Sequence, residues 1–161
     1  MSRAADLRAE ETRVRAMRWW DIPVVHRIEE QCFPHDCWST DQFWRELAGS
    51  TREYFVAVDG AESVLGYGGI SVLAPDSDLQ TLAVRPDAQG VGVGRGLLDA
   101  CLHAAGRRGA TTMLLEVRSD NLPAKGMYEK FGFEVIASRP YYYPDGGDAL
   151  IMRRRPVEAA S

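Results

Sequence analysis

Hydrophobic and polar positions divide the chain into stretches of helical and of extended period. After a charged opening over residues 1–11, TRVRAM reads as a short strand. From Trp20 to Cys32, apolar Val24, Val25, Ile28 and Cys32 recur at helical spacing, with Asp21 as the expected cap and Pro23 in the first turn. A loop, FPHDCWS, leads to a second helix, capped by Ser39, with Phe43, Trp44 and Leu47 expected to face inward. EYFVAV and VLGYGGISVL are strands joined by the turn DGAES, and LQTLAV is a third apolar strand that stops at Arg85-Pro86. Beyond a glycine-rich stretch, Leu97, Leu98, Cys101, Leu102 and Ala105 form one helical face, which Gly106 or Gly109 ends. TTMLLEVRS is a strand, and Pro123 opens a short helix through Tyr128 to Lys130. FEVIAS and ALIMRR close the chain as strands around YYYPDGGD. The order β-α-α-β-β-β-α-β-α-β-β describes helices interrupting a mostly antiparallel sheet, an α/β (α+β) layer fold with about six or seven strands and about four helices.

Composition narrows the class without changing that picture. The chain has 161 residues, enough for one domain with a sizeable core, and its 45% hydrophobic and 26% charged content are ordinary for a globular protein. One domain is expected over 12–155, between a flexible N-terminal arm at 1–11 and a flexible tail at 156–161. A formal net charge of −4 argues against general nucleic-acid binding, which requires a basic face. The run Arg153, Arg154 and Arg155 reads as a solvated chain end. MSRAADLRAEETRVR has no apolar core of a secretory signal, and no run of about 18 apolar residues occurs, so a cytoplasmic protein without a membrane span is expected; separately, a monomer is expected. Three cysteines without framework spacing agree with a reducing compartment. Cys32, His35 and Cys37 in CFPHDC are three candidate metal ligands where a structural zinc site takes four, so no metal is expected.

The stretch QGVGVGRG carries the chemistry. Four glycines on alternate positions, Gly90, Gly92, Gly94 and Gly96, cost helix or strand stability and therefore require a reason. The dinucleotide spacing G-x-G-x-x-G fails, because the sixth position from Gly90, Gly92 or Gly94 is Arg95, Leu97 or Asp99. The triphosphate loop fails as well, since no glycine here precedes lysine and a hydroxyl residue. What remains is a strand, a glycine loop and a helix N-terminus, a site that favours anions of any kind.

LAVRPDAQGVGVGRGLL resembles the acetyl-CoA segment of the GNAT acetyltransferase superfamily, in which Q/R-x-x-G-x-G/A joins a strand to a helix. Gln89, Gly92 and Gly94 fill those places. The resemblance implies a GNAT-type three-layer fold and acetyl-CoA as co-substrate. Its pyrophosphate would be held by backbone N–H groups over Gln89, Gly90, Val91, Gly92, Val93, Gly94 and Arg95. Over roughly residues 13–153 the chain is more closely similar to the RimI-type protein N-terminal acetyltransferases. The shared pieces are IEEQCFP with a downstream Trp-Ser, LLEVRSDNLPAKGMYEKFGF, and the tyrosines and proline of YYYP. The resemblance implies Glu116 as general base, Tyr128 as general acid and Asn121 as part of the cofactor site. It also implies a backbone N–H of Leu82, Ala83 or Val84 as oxyanion donor, and acceptor contacts from Trp38, Tyr141 and Tyr142. The implied acceptor is the N-terminal segment of a protein, a ribosomal protein for this family. FPHDCWS departs from the shorter Pro-Trp-Ser turn of relatives, which bears on substrate preference.

Elementary chemistry fits these roles. An α-amine of pKa about 7.7–8.0 is roughly one-tenth neutral at pH 7, so a single carboxylate base suffices, whereas a lysine amine near 10.4 demands more. Each residue also has a plainer reading. Glu116 in an apolar strand faces a cleft or pairs with a basic partner such as Arg118, and Tyr128 packs as a core aromatic. Two rival functions stay open on the same fold: acetylation of a small amine or lysine side chain, and a non-catalytic acyl-CoA-binding module.

Overall fold

The protein is described by a computed structural model over residues 12–155. The expected arm at 1–11 and tail at 156–161 lie outside the described residues. The elements are β1 (Arg13–Ala16), α1 (Ile22–Cys32), α2 (Thr40–Ala48), β2 (Arg52–Val58), β3 (Val64–Leu73), β4 (Asp76–Val84), α3 (Val93–Arg107), β5 (Thr112–Arg118), α4 (Leu122–Lys130), β6 (Glu134–Arg139) and β7 (Ala149–Arg154). Short 3-10 turns at Trp19–Asp21 and Pro86–Ala88 precede α1 and follow β4. The seven strands lie in the order β1-β2-β3-β4-β5-β7-β6. β1 pairs antiparallel with β2, and β7 pairs antiparallel with both β5 and β6. β4 and β5 are parallel, with register Asp76↔Thr112 to Asp78↔Leu114, and α3 supplies the crossover that a parallel pair requires. Among the described residues no helix is long and apolar enough to cross a membrane.

Contacts divide the chain into two compact units. The first comprises the described residues up to Ile70 together with Gln80–Cys101. Its core follows the period-two geometry of β2: Tyr54, Val56 and Val58 join Ile22, Val25 and Ile28 of α1 and Phe43 of α2, while Ala57 joins Leu65, Val93 and Leu97. β3 is buried continuously from Val64 to Ile70, as expected of a strand covered on both faces. Each Leu, Ile or Phe so enclosed contributes about 1.5–3 kcal/mol of transfer free energy.

Two local expectations are corrected in this unit. Trp44 does not face inward; it is 47% exposed and stacks on Trp19 at 6.1 Å. In a nine-residue helix, Phe43 already fills the buried stripe, and Trp19 offers Trp44 an aromatic partner outside it. Asp21 precedes α1 but makes no side-chain cap to it. Its carboxylate instead accepts from the Arg15 guanidinium at 2.8 and 2.9 Å and from the Arg18 backbone N–H at 2.8 Å. A fork of charged donors outcompetes one neutral amide for the same oxygens. Ser39, by contrast, caps α2 as expected, accepting from the Gln42 N–H at 3.2 Å.

The second unit comprises Ser71–Leu79 and the described residues from Leu102 onward. Alternation along β5 buries Met113, Leu115 and Val117 and turns Glu116 to the other face. Asn121 caps α4 and Pro123 stands in its first turn, where a missing N–H costs nothing. β6 is exposed along its whole length, in keeping with its place at the sheet edge.

Candidate active site

In the first unit, Leu82, Ala83 and Val84 end β4, and Gln89 follows the 3-10 turn. The Val84 carbonyl accepts from the Gln89 side-chain amide at 3.0 Å and from the Cys32 thiol at 3.3 Å, so the strand end is tied both to the loop and to α1. Gly90 and Gly92 have φ of 83° and 95°, left-handed values that strain any other residue. Val91 anchors the loop against the cluster that holds Val93 and Leu97. α3 begins at Val93, with Gly94 and Arg95 in its first turn and the Gly96 N–H bonding the Gly92 carbonyl at 3.1 Å. The Val93, Gly94 and Arg95 amides come before that first intrahelical bond, and the turn contains no acidic residue. Arg95 adds a guanidinium close by: a methyl placed on Gly92 would lie 3.6 Å from it. Oriented amides, a fifteen-residue helix dipole and a nearby guanidinium make a helix start that favours an anion.

In the second unit, Glu116 projects from β5 with its side chain 35% exposed. Its basic neighbour is Arg139 of β6, at 3.5 Å, and not Arg118 as the sequence suggested. Arg118 is engaged elsewhere, donating to both oxygens of Asp145 at 3.1 and 2.8 Å, donating to Asp120 at 3.1 Å, and lying 4.7 Å over the Tyr143 ring. Hydrogen bonds from Arg118 hold Asp120 and Asp145 below the usual carboxylate range. The same Arg139 lies 5.5 Å from the centre of the Tyr142 ring, and Tyr142 meets Tyr143 edge-on at 5.1 Å. Glu116, Arg139 and Tyr142 thus form a row whose middle member spacing alone did not single out. Tyr141 is 83% exposed, has φ of 55°, and donates its backbone N–H to Asp148 at 3.0 Å. Tyr128 is buried in α4 with its ring edge-on to Phe133 at 5.8 Å. Asn121 spends one oxygen on its cap, accepting from the Ala124 N–H at 3.3 Å.

Trp38 belongs to the first unit, in the loop between α1 and α2. Its ring packs on Phe43 at 5.3 Å, and its backbone N–H donates to Glu29 at 2.9 Å. Glu29 is 2% exposed, and the Tyr67 hydroxyl bonds its other oxygen. Burial raises the Glu29 pKa, although the bonds from Tyr67 and Trp38 oppose the shift. From sequence, Glu29 is one of two adjacent acids in a polar helical stripe, and only the fold sets Tyr67 opposite it. CFPHDC forms no metal cluster: among the described residues no three His, Cys, Asp or Glu side chains stand together to hold an ion.

A profile of the Acetyltransferase (GNAT) family matches residues 22–133. Over 140 residues the chain is 37% identical to the N-alpha-acetyltransferase RimI of Mycobacterium tuberculosis, a match covering 83% of this chain and 86% of the relative. Over 141 residues it is 30% identical to the ribosomal protein bS18-alanine N-acetyltransferase of Escherichia coli, covering 85% of this chain and 92% of the relative. The crystal structure of the ribosomal-protein-S18-alanine N-acetyltransferase from Escherichia coli superposes with a TM-score of 0.81 at 30% identity, covering 93% of this chain and 97% of that one.

Proposed function

Because the chain belongs to the GNAT acetyltransferase family, we propose that it moves acetyl from acetyl-CoA to the N-terminal α-amine of a protein, with a ribosomal protein of the bS18 kind as substrate. The observation that carries this reading is the near end-to-end similarity to enzymes named as N-alpha-acetyltransferase or ribosomal-protein-alanine N-acetyltransferase. Two features of the chain support it: an acid-free anion seat at the start of α3 and one exposed carboxylate, Glu116, on β5. A ribosomal acceptor puts the reaction in the cytoplasm.

Acetyl-CoA supplies an activated thioester whose carbonyl carbon the amine attacks. The chain's own work is then threefold. The loop from Gln89 to Arg95 binds the pyrophosphate, and Asn121 is the family-implied cofactor contact at the cap of α4. A backbone N–H in Leu82–Val84 donates to the oxygen that gains charge during attack. Glu116 takes the proton that the amine nitrogen loses as the C–N bond forms. Tyr128 gives a proton to sulfur as the C–S bond breaks, so the products are a neutral amide and a thiol. Both demands are modest, because the amine titrates near 8 and the thiol near 8.5. Trp38, Tyr141 and Tyr142 offer aromatic surface to the first residues of the acceptor at small entropic cost.

The test is mass spectrometry on a peptide with a free N-terminal alanine and an internal lysine. Acetyl is expected on the α-amine. Acetyl found mainly on lysine replaces this reading with the side-chain alternative.

A further inference from the structure

The chemistry above makes no use of the most deeply buried carboxylate in the first unit. Glu29 lies in the last two turns of α1, 2% exposed, with Tyr67 of β3 on one oxygen and the Trp38 N–H on the other at 2.9 Å. His26, Cys32 and Asp36 are the titratable neighbours whose charges act on Glu29 or feel it, and none of them hydrogen-bonds its oxygens. A buried carboxylate is retained only where bonds compensate its desolvation, so the two donors and the acid hold one another in place.

What the arrangement fixes is the loop joining α1 to α2. Inside that loop, one backbone bond is formed, from Asp36 N–H to the Phe33 carbonyl at 3.2 Å. The turn that follows is held from beneath by Glu29. Trp38 directly precedes Ser39, the cap of α2, so its N–H bond sets where α2 starts and how the Trp38 ring meets Phe43. We propose that Glu29 is a positioning residue for acceptor binding, acting through Trp38 and touching neither substrate nor reacting atoms. The proposal rests on the reading of Trp38 as an acceptor contact and adds to it the group that holds Trp38 in place.

The experiment compares the full chain with Glu29→Ala, Glu29→Gln and Tyr67→Phe. It measures acceptor-peptide KM, kcat, acetyl-CoA affinity and the exchange rate of the Trp38 amide proton. Glu29→Ala is expected to raise peptide KM and to speed Trp38 exchange, each by about tenfold, with kcat and acetyl-CoA affinity within about twofold of the parent. Glu29→Gln keeps an acceptor oxygen for the Trp38 N–H and is expected to restore most of both losses. If Glu29→Ala does not fold, Tyr67→Phe carries the test, because it conserves volume, removes one donor and is expected to move both readouts the same way by about threefold. Trp38 exchange unchanged in every folded variant overturns the tether. Faster exchange with an unchanged peptide KM overturns its link to the acceptor. Failure of the parent itself to acetylate any N-terminal peptide overturns the underlying reading, a result that the exchange data distinguish from loss of the tether.

Discussion

Two glutamates of this chain, Glu29 and Glu116, meet opposite surroundings. Glu29 is enclosed, and both oxygens receive donors held by β3 and by the loop after α1. Glu116 stands on the open face of β5 with its side chain 35% exposed and a single cation at 3.5 Å. A carboxylate enclosed by fixed donors is out of reach of a substrate amine. One that is exposed and loosely paired is open to an incoming group. The fold therefore separates a carboxylate that is held from one that is reachable.

The largest effect expected from this contrast is on rate. Glu116→Gln removes the proposed base and is expected to lower kcat about 100-fold, the lower end for general base groups, because an α-amine is already partly neutral. Its melting temperature is expected to match the parent's, since exposed substitutions usually change stability by about 0.5 kcal/mol or less. Steady-state kinetics and calorimetry on the same preparation check both halves. An unchanged kcat removes Glu116 from the chemistry, and a large loss of stability makes it a second Glu29. Tyr128→Phe comes next, with kcat expected to fall about tenfold to 100-fold while ring packing on Phe133 is kept. A kcat unchanged from pH 6 to 9 leaves Tyr128 as a packing residue.

The sequence shows Glu116 on the outward face of β5 and does not single out Glu29, for a physical reason. Periodicity reports which way a residue points relative to its own element, so the order of all eleven strands and helices, the inward face of α3 and the outward turn of Glu116 were legible. It does not report which distant group waits there. Arg118 shares a face with Glu116 two residues away, yet Asp145, 27 residues on, offers it a bidentate carboxylate and wins. Asp21 has the right type and place for a helix cap, yet Arg15 outcompetes the backbone for its oxygens. Glu29 reads as polar surface until β3 brings Tyr67 against it. The glycine loop was legible because its demand is local: Gly90 and Gly92 adopt backbone angles that almost only glycine tolerates.

A smaller effect, on stability, sharpens what enclosure does to an acid. Asp21, just before α1, and Glu29, within it, are both buried, but their pKa values move in opposite directions. For Asp21, burial alone pushes upward, and the bonds from Arg15 and the Arg18 N–H outweigh it, so the folded pKa is lowered. Its stabilisation is therefore fully present above the ordinary carboxylate range and is lost as pH falls through the lowered folded value. For Glu29, burial prevails and the folded pKa is raised. Its contribution is fully present below the ordinary range and is lost as pH rises through the raised folded value. Asp21→Asn is expected to cost about 2 kcal/mol at pH 7, a gap that closes on acidification. Relative to Glu29→Gln, the parent is expected to lose ground as pH rises. Denaturant unfolding from pH 3 to 8 checks both slopes, and parallel slopes would mean that the Arg15 bonds do not distinguish the two acids.

The smallest effect concerns how firmly Glu116 is held. Arg139 faces it at 3.5 Å with side-chain exposures of 54% and 35%, and the same guanidinium lies 5.5 Å from the Tyr142 ring. An exposed pair of this kind is worth about 1 kcal/mol at most, and a cation over an exposed ring about as much. Arg139→Gln is therefore expected to lower kcat/KM by no more than about fivefold, the factor that 1 kcal/mol represents. The loss belongs mainly to peptide KM, because Tyr142 is the proposed acceptor contact and Glu116 keeps its place on β5. It is also expected to fade with salt, since exposed charges are screened over about 8 Å at physiological ionic strength. Peptide kinetics at low and high salt measure this directly. A loss above about 50-fold that persists in salt would make Glu116 as tightly held as Glu29, and the distinction between a held and a reachable carboxylate would fail at this residue.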